Sequence, residues 1–292
     1  MTKRYTIDLR KLFLLGVAWL VVAASIQGQV LHADGARPSF EVTSVKPSTA
    51  AFGPQIPPGA GRFLMRAATV EDMVMYAYGL RHRSEFAGGP GWVKSERFDV
   101  EGRLSDTDMA AVDKLPGPQR EEQMAQRLQT LLADRFALKV SFPKKELPVF
   151  ELTVAKDGFK CAKAAPPQNV FPAVMPRFAL LVPPPVPVPP GLSPEQQHAL
   201  SLSPHVTMKG WPMWTITNFL RFPVEMQGRM VVDKTGIEGN YDCDLQWVSE
   251  GADVPGPSLY TALEEQMGLH LRAAKEMLET VMVESVERPT GN

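Results

Sequence analysis

Residues 70–77, VEDMVMYA, and residues 213–220, MWTITNFL, lie 143 positions apart, and both predict a helix. The correspondence extends outward, because residues 65–99 and 208–242 align at the same offset without a gap. In each stretch the helix is followed by glycine-rich turns and a short strand. We interpret the two stretches as related parts of an internal repeat.

The correspondence resumes further along the chain at an offset of 132, because the second half is shorter between the two blocks. Residues 128–140 match residues 260–272, and each predicts an amphipathic helix that runs into a strand. Residues 148–155 match residues 280–287, and both alternate like half-buried strands. The predicted fold class is therefore α+β, with two tandem units in the order βαββαββ.

A proline-rich segment separates the two predicted units. Eleven prolines lie between Pro166 and Pro194, a density that excludes both a helix and a sheet ladder. We predict a first α+β repeat at 38–165, a linker at 166–204 and a second repeat at 205–292. The alternative is a long ordered loop wrapped over one domain.

The N-terminus has the features of a secretory signal peptide. Residues 12–24 are uncharged and apolar, and basic residues precede them, namely Lys3, Arg4, Arg10 and Lys11. As a helix this run would span about 20 Å, short of the roughly 30 Å hydrocarbon core of a bilayer. We predict that residues 1–24 are removed and that the mature protein is periplasmic or extracellular, without stable membrane insertion.

The only two cysteines, Cys161 and Cys243, would be able to pair in an oxidising compartment. A disulfide there closes a loop of about 80 residues. The alternative is two buried free thiols, and the sequence leaves both open.

Composition excludes several function classes. With 31 Lys and Arg against 32 Asp and Glu, the net charge of −1 offers no field for a nucleic acid. The five histidines are scattered singly, without metal-ligand spacing. We predict no metal and no cofactor.

Two carboxylates occupy equivalent positions of the repeat, Asp99 and Asp242, each beside an aromatic residue. As a pair they would suggest acid–base hydrolysis. The favoured interpretation is structural: an Asp at a strand start that accepts backbone N–H groups of the preceding glycine-rich turn. No catalytic residue is therefore predicted, with Asp99 and Asp242 as the alternative.

Tryptophans are the candidate contacts for a ligand or partner. Trp211 and Trp214 flank Pro212 and Trp247 lies near a predicted turn, so they would be able to line a groove. Core packing is the favoured role for most of the tryptophans. Trp247 ends a strand before a turn, so we place it at the surface.

The chain resembles a family of exported proteins of the soil-associated acidobacterial type that carry a domain of unknown function. The resemblance rests on these stretches: FEVTSVKPS (40–48), AYGL (77–80), GGPGW (88–92), RFDV (97–100), LLADRFALK (131–139), VVDKTGIEGNYD (231–242), ALEEQMGL (262–269) and VERPT (286–290). It implies no catalytic residues. Similar domains behind membrane metallopeptidases of the antibiotic-sensor type suggest sensing or protein contact in the envelope.

We favour a non-enzymatic envelope module that binds a protein or a small ligand, and we leave enzymatic activity open. The alternative is a hydrolase of envelope polymer that uses Asp99 and Asp242. A weaker alternative is an accessory protein whose strand at 280–287 adds to a partner's sheet.

Overall fold

The structure is a computed structural model that describes residues 30–31, 37–50, 62–115, 117–165, 193, 203–221, 226 and 229–289. The predicted signal peptide, residues 1–24, lies outside these residues, and so does most of the proline-rich segment. None of the helices in the described ranges is long and apolar enough to span a membrane.

The described chain contains five α-helices and twelve strands, which confirms the α+β fold class. The helices are α1 (Val70–Ala77), α2 (Asp106–Val112), α3 (Gly117–Phe136), α4 (Met213–Leu220) and α5 (Leu259–Ala262), the last continued by a π-helical turn, Leu263–Met267. The strands are β1 (Val42–Pro47), β2 (Arg62–Ala68), β3 (Phe86–Gly88), β4 (Phe98–Arg103), β5 (Lys139–Ser141), β6 (Lys144–Val154), β7 (Ala162–Ala164), β8 (His205–Pro212), β9 (Met230–Asp233), β10 (Asn240–Gln246), β11 (Leu269–Glu279) and β12 (Val281–Ser285).

Local sequence explains where the first helix begins. The Thr69 hydroxyl accepts the Asp72 N–H, and the Asp72 carboxylate accepts the Thr69 N–H in return. This reciprocal pair is a capping box, which satisfies backbone donors that the first turn leaves without partners. The helix α1 is buried along its whole length.

The strands form four three-stranded sheets that come in two matching kinds. In the first kind, β4 lies between β1 and β2, and β10 lies between β7 and β8. In the second kind, β12 lies between β3 and β5, and β6 lies between β9 and β11. Each central strand of the second kind pairs in parallel with one neighbour and antiparallel with the other.

The central strands of the second kind come from the opposite part of the chain. Strand β12 pairs with β3 and β5, which lie far upstream, whereas β6 pairs with the downstream strands β9 and β11. The pairing registers also correspond. Phe150 pairs with Ala273 between β6 and β11, and Ser141 pairs with Met282 between β5 and β12. The offset of 132 relates Phe150 to Met282 and Ser141 to Ala273.

Two lobes result, each with its own apolar core. Lobe 1 consists of the sheets β1-β4-β2 and β3-β12-β5 with α1, α2 and α3, and its core includes Phe136 and Val281. Lobe 2 consists of the sheets β7-β10-β8 and β11-β6-β9 with α4 and α5, and its core includes Leu152 and Ile216.

A two-stranded ribbon, β6 with β11, leads from one lobe to the other. The two strands pair along their whole length, from Lys144 opposite Glu279 to Val154 opposite Leu269. Just beyond the ribbon, the Thr280 N–H donates to the Pro143 carbonyl at 3.0 Å. The chain therefore enters and leaves lobe 2 side by side.

The two strands that flank the proline-rich segment, β7 and β8, both belong to lobe 2, because both pair with β10. The cores divide at the ribbon, whereas the sequence placed the division at residues 166–204. The predicted domain boundaries stay a prediction about sequence units. The idea that the strand at 280–287 adds to a partner's sheet is wrong for β12, since β12 is already hydrogen-bonded on both sides.

Candidate functional site

A cleft of about 460 Å³ opens in lobe 2, at the N-terminal end of α5. Its volume lies in the range typical of small-molecule sites. The lining residues come from β6, β11, α5, the 247–258 connection and the residue before β9. They are Phe150, Arg229, Val248, Glu250, Ser258, Leu259, Tyr260 and Ala273.

The strand ladder and the short helix position the cleft's walls. Phe150 and Ala273 face each other across β6 and β11, so their side chains lie on the same side of the sheet. Ser258 caps α5 by accepting the Thr261 N–H at 3.2 Å, which holds Tyr260 in the first helical turn. The Val248 N–H donates to the Pro257 carbonyl at 2.8 Å and closes the connection into a loop.

An arginine and two aromatic rings form the most distinctive part of the cleft. The Arg229 guanidinium carbon lies 5.5 Å from the centre of the Phe150 ring, a cation–π distance. The Tyr260 ring is tilted against Phe150 with centroids 6.2 Å apart, and Tyr260 is 38% exposed. Arg229 is half-buried and forms no ion pair or side-chain hydrogen bond with any residue in the described ranges.

Asp99 and Asp242 lie in different sheets, and each accepts an equivalent backbone hydrogen bond there. The Asp99 carboxylate accepts the Ala67 N–H at 2.9 Å, and the Asp242 carboxylate accepts the Gly210 N–H at 2.8 Å. Ala67 and Gly210 both have positive φ, 52° and 65°, in the neighbouring strand. Each carboxylate thus holds a left-handed residue of the adjacent strand, rather than the glycine-rich turn that the sequence suggested.

The three candidate tryptophans do not form one surface. Trp247 is only 4% exposed and packs against Phe219 in the core of lobe 2, so its predicted place at the surface is wrong. The residue faces inward because Cys243, Leu245 and Trp247 alternate along β10 and its continuation. Trp211 and Trp214 are half-buried, and Trp211 packs edge-on against Phe219.

Cys161 and Cys243 form a disulfide in lobe 2. The neighbouring pair, Ala162 opposite Asp242, is the last of the β7–β10 ladder, so the two cysteines follow as cross-strand neighbours. The bond ties the short strand β7 to the central strand of its sheet.

A cluster of charged residues lies where the two lobes touch. Arg221, at the end of α4, donates to the Arg81 carbonyl, and burial lowers the pKa of Arg221 to about 10. Glu85 accepts the N–H groups of Arg81 and His82, and burial raises the pKa of its carboxyl. Burial, with Arg221 and Arg83 nearby, lowers the pKa of His82. The cluster joins the lobes, and none of its residues lines the cleft.

Within the described ranges, no group of three His, Cys, Asp or Glu residues is placed to hold a metal ion. The cleft residues themselves offer one carboxylate, Glu250, and one hydroxyl, Ser258, besides the tyrosine.

Sequence reasoning missed the residues that line the cleft. Phe150 and Tyr260 were assigned only to a strand and a helix, and Arg229 belonged to no motif. One sequence signal did point to the place: the offset between the two halves falls from 143 to 132 just before α5. Lobe 2 therefore lacks residues that correspond to the first turns of α3 in lobe 1. The cleft opens at the equivalent end of α5.

The fold and the cleft define a two-lobed α+β protein with a ligand-sized cleft in one lobe. A family model described as a protein of unknown function (DUF3738) matches residues 71–286, so the chain belongs to that family. The match covers both lobes. The comparisons with curated proteins and with solved structures found no match.

Proposed function

We propose that this protein is an exported binding protein of the cell envelope, without enzymatic activity, and that the lobe 2 cleft is its binding site. The observation that carries the proposal is the cleft itself, where an arginine that forms no ion pair with a described residue lies over the Phe150 ring beside a partly exposed tyrosine. Apolar walls with a few polar groups are typical of sites that hold a small ligand or the end of a polypeptide.

Export is supported by the features of residues 1–24 and by the Cys161–Cys243 disulfide. Structural disulfides persist in the periplasm and outside the cell, whereas the cytosol keeps most thiols reduced. Export is tested by sequencing the N-terminus of the protein recovered from an outside fraction. Removal of residues 1–24 supports export, and an intact N-terminus in the cytosolic fraction contradicts it.

We further propose that the fold is built from two tandem copies that have exchanged their last strands. In this interpretation β1–β6 form one copy and β7–β12 the other, so β6 completes lobe 2 and β12 completes lobe 1. The matching sheet orders and the shared offset of the two registers support this interpretation. The proline-rich segment then lies between the first two strands of the second copy.

The binding function is tested by crosslinked capture from the native envelope with mature protein from residue 25 onward. Ala273 is exposed and lines the cleft, so Ala273→Trp fills the cleft without entering the core. The matched control is Lys275→Trp, because Lys275 lies two residues along on the same face of β11 and outside the cleft.

We expect a captured species that is retained by the Lys275→Trp variant and lost by the Ala273→Trp variant. Capture that both variants retain would overturn the assignment of the cleft as the binding site. Turnover of a captured glycan or peptide by the wild-type protein would overturn the non-enzymatic function.

A further inference from the structure

The charge of Arg229 sets a chemical requirement on whatever enters the cleft. The guanidinium is half-buried, and no residue in the described ranges supplies it with a carboxylate. A charge that has lost part of its water is stabilised by a counterion of matching geometry. The guanidinium carbon lies 5.5 Å from the centre of the Phe150 ring, and no described residue accepts a hydrogen bond from its N–H groups. A planar carboxylate is able to accept two of these N–H groups at once.

The remaining lining residues limit the ligand to one negative charge on an apolar body. Val248 and Ala273 offer aliphatic surface, and Tyr260 adds a partly exposed ring. Glu250 also lines the cleft, and its negative charge disfavours polyanions such as polyphosphates.

Resting on the binding function proposed above, we infer that the cleft recognises a single carboxylate attached to an apolar or aromatic body. The carboxylate pairs with Arg229, and the body lies against the exposed residues Tyr260 and Ala273. Two sources share this chemistry, a carboxylic acid metabolite and the free C-terminus of a short apolar peptide. A volume of about 460 Å³ accommodates either one.

The test uses two matched pairs of probes on the mature protein. One pair is 4-phenylbutyrate and its uncharged amide, and the other is N-acetyl-alanyl-phenylalanine with a free or an amidated C-terminus. Each probe is titrated at low salt while backbone amide chemical shifts are followed. We expect the acids to bind with a Kd of about 1 mM or tighter and the amides at least about tenfold more weakly. Tighter binding by one acid identifies the source.

Two arginine variants test whether the positive charge of Arg229 itself, rather than any nearby positive charge, binds the acids. Arg229→Gln should raise the Kd of the acids about tenfold and leave the amides unchanged. Arg272→Gln is the control, because Arg272 adjoins Ala273 on β11 but points to the opposite face, where it pairs with Glu151. The control should leave all four affinities unchanged.

Equal binding of acid and amide, an unchanged Kd in Arg229→Gln, or no binding at about 10 mM would overturn the inference. The binding function itself is judged separately. Suppose that acid and amide bind the wild-type protein equally and that Ala273→Trp abolishes binding of both. The cleft is then confirmed as a binding site, and only the preference for a carboxylate is wrong. If Arg229→Gln weakens binding of the acids but Ala273→Trp leaves capture from the envelope unchanged, the proposed envelope function is wrong.

Discussion

Lobe 1 and lobe 2 carry the same two kinds of sheet but differ in the connection that leaves the central strand of the first kind. In lobe 1 residues 104–126 contain α2 and the first turns of α3. In lobe 2 the corresponding connection, residues 247–258, contains no helix, and α5 begins directly after it. The cleft opens at that end of α5. Lobe 2 thus has a cleft beside the shorter helix, and the corresponding connection of lobe 1 contains helical turns.

The lobes also differ in covalent support, and removal of that support should have the largest effect. The Cys161–Cys243 disulfide joins two residues of lobe 2 at a sequence separation of 82, and lobe 1 contains no cysteine. Replacement of both cysteines by serine should lower the free energy of unfolding of lobe 2 by about 4 kcal/mol. Segment-resolved hydrogen exchange measures each lobe, and an equal loss in lobe 1 would contradict the separation of the cores.

The proposed exchange of strands predicts a crossed pattern of destabilisation. Leu152 is fully buried in lobe 2, although it lies in the first half of the sequence, and Leu152→Ala should cost about 3 kcal/mol there. Val283 is buried in lobe 1, although it lies near the C-terminus, and Val283→Ala should cost about 2 kcal/mol there. Hydrogen exchange should show the loss in the lobe named. A loss that follows sequence halves would refute the exchange.

Asp99 and Asp242 should have equal, local effects. Replacement of either by Ala removes the acceptor of a part-buried N–H group, so each variant should lose about 1 to 2 kcal/mol in its own lobe. Replacement by Asn keeps an acceptor oxygen and should cost less. Denaturant unfolding measures both. An Asn variant with native stability but lost turnover of an envelope polymer would instead favour the hydrolase alternative.

The two left-handed residues beside these carboxylates should respond differently. Gly210→Ala places a methyl group at positive φ and should cost about 1 kcal/mol. Ala67→Gly should be nearly neutral, because relief of the same strain is offset by loss of a buried methyl and by a freer unfolded chain. Thermal unfolding of the two single variants measures the difference, and a clear stabilisation by Gly210→Ala would contradict this account.

The smallest predicted effect concerns the contact between the lobes. The pKa of His82 in the folded protein lies below its usual 6.5, so the unfolded chain takes up a proton first as the pH falls. The contribution of His82 is therefore present above pH 6.5 and is lost as the pH falls toward the lower folded pKa. His82→Asn should flatten this part of the profile of stability against pH, measured by urea unfolding. An unchanged profile would exclude His82 as its source.

Local patterns predicted the individual elements well. The helices at 70–77 and 213–220 occupy the predicted positions, and the alternating stretch at 148–155 overlaps strand β6. Helical spacing and strand alternation report which face of an element is buried, and they depend only on neighbouring residues.

Such local patterns do not predict which strands pair with one another. Alternation in β6 and β12 predicts that each is a strand, but it does not identify the strands beside it, so the crossing between lobes was not foreseen. Trp247 was misplaced because the inward alternation of Cys243 and Leu245 continues past the end of β10 and brings Trp247 against Phe219 in the core. The cleft residues Phe150, Arg229 and Tyr260 are far apart in sequence and meet only in the folded chain.

The paired ribbon has a mechanical consequence. Strands β1 and β12 both belong to lobe 1, whereas the chain passes into lobe 2 and back through β6 and β11 side by side. A force applied at opposite ends of the described chain therefore loads lobe 1 first, and lobe 2 carries no tension until β12 detaches from β3 and β5. The lobe 2 cleft therefore lies in the part of the molecule that such a force loads last.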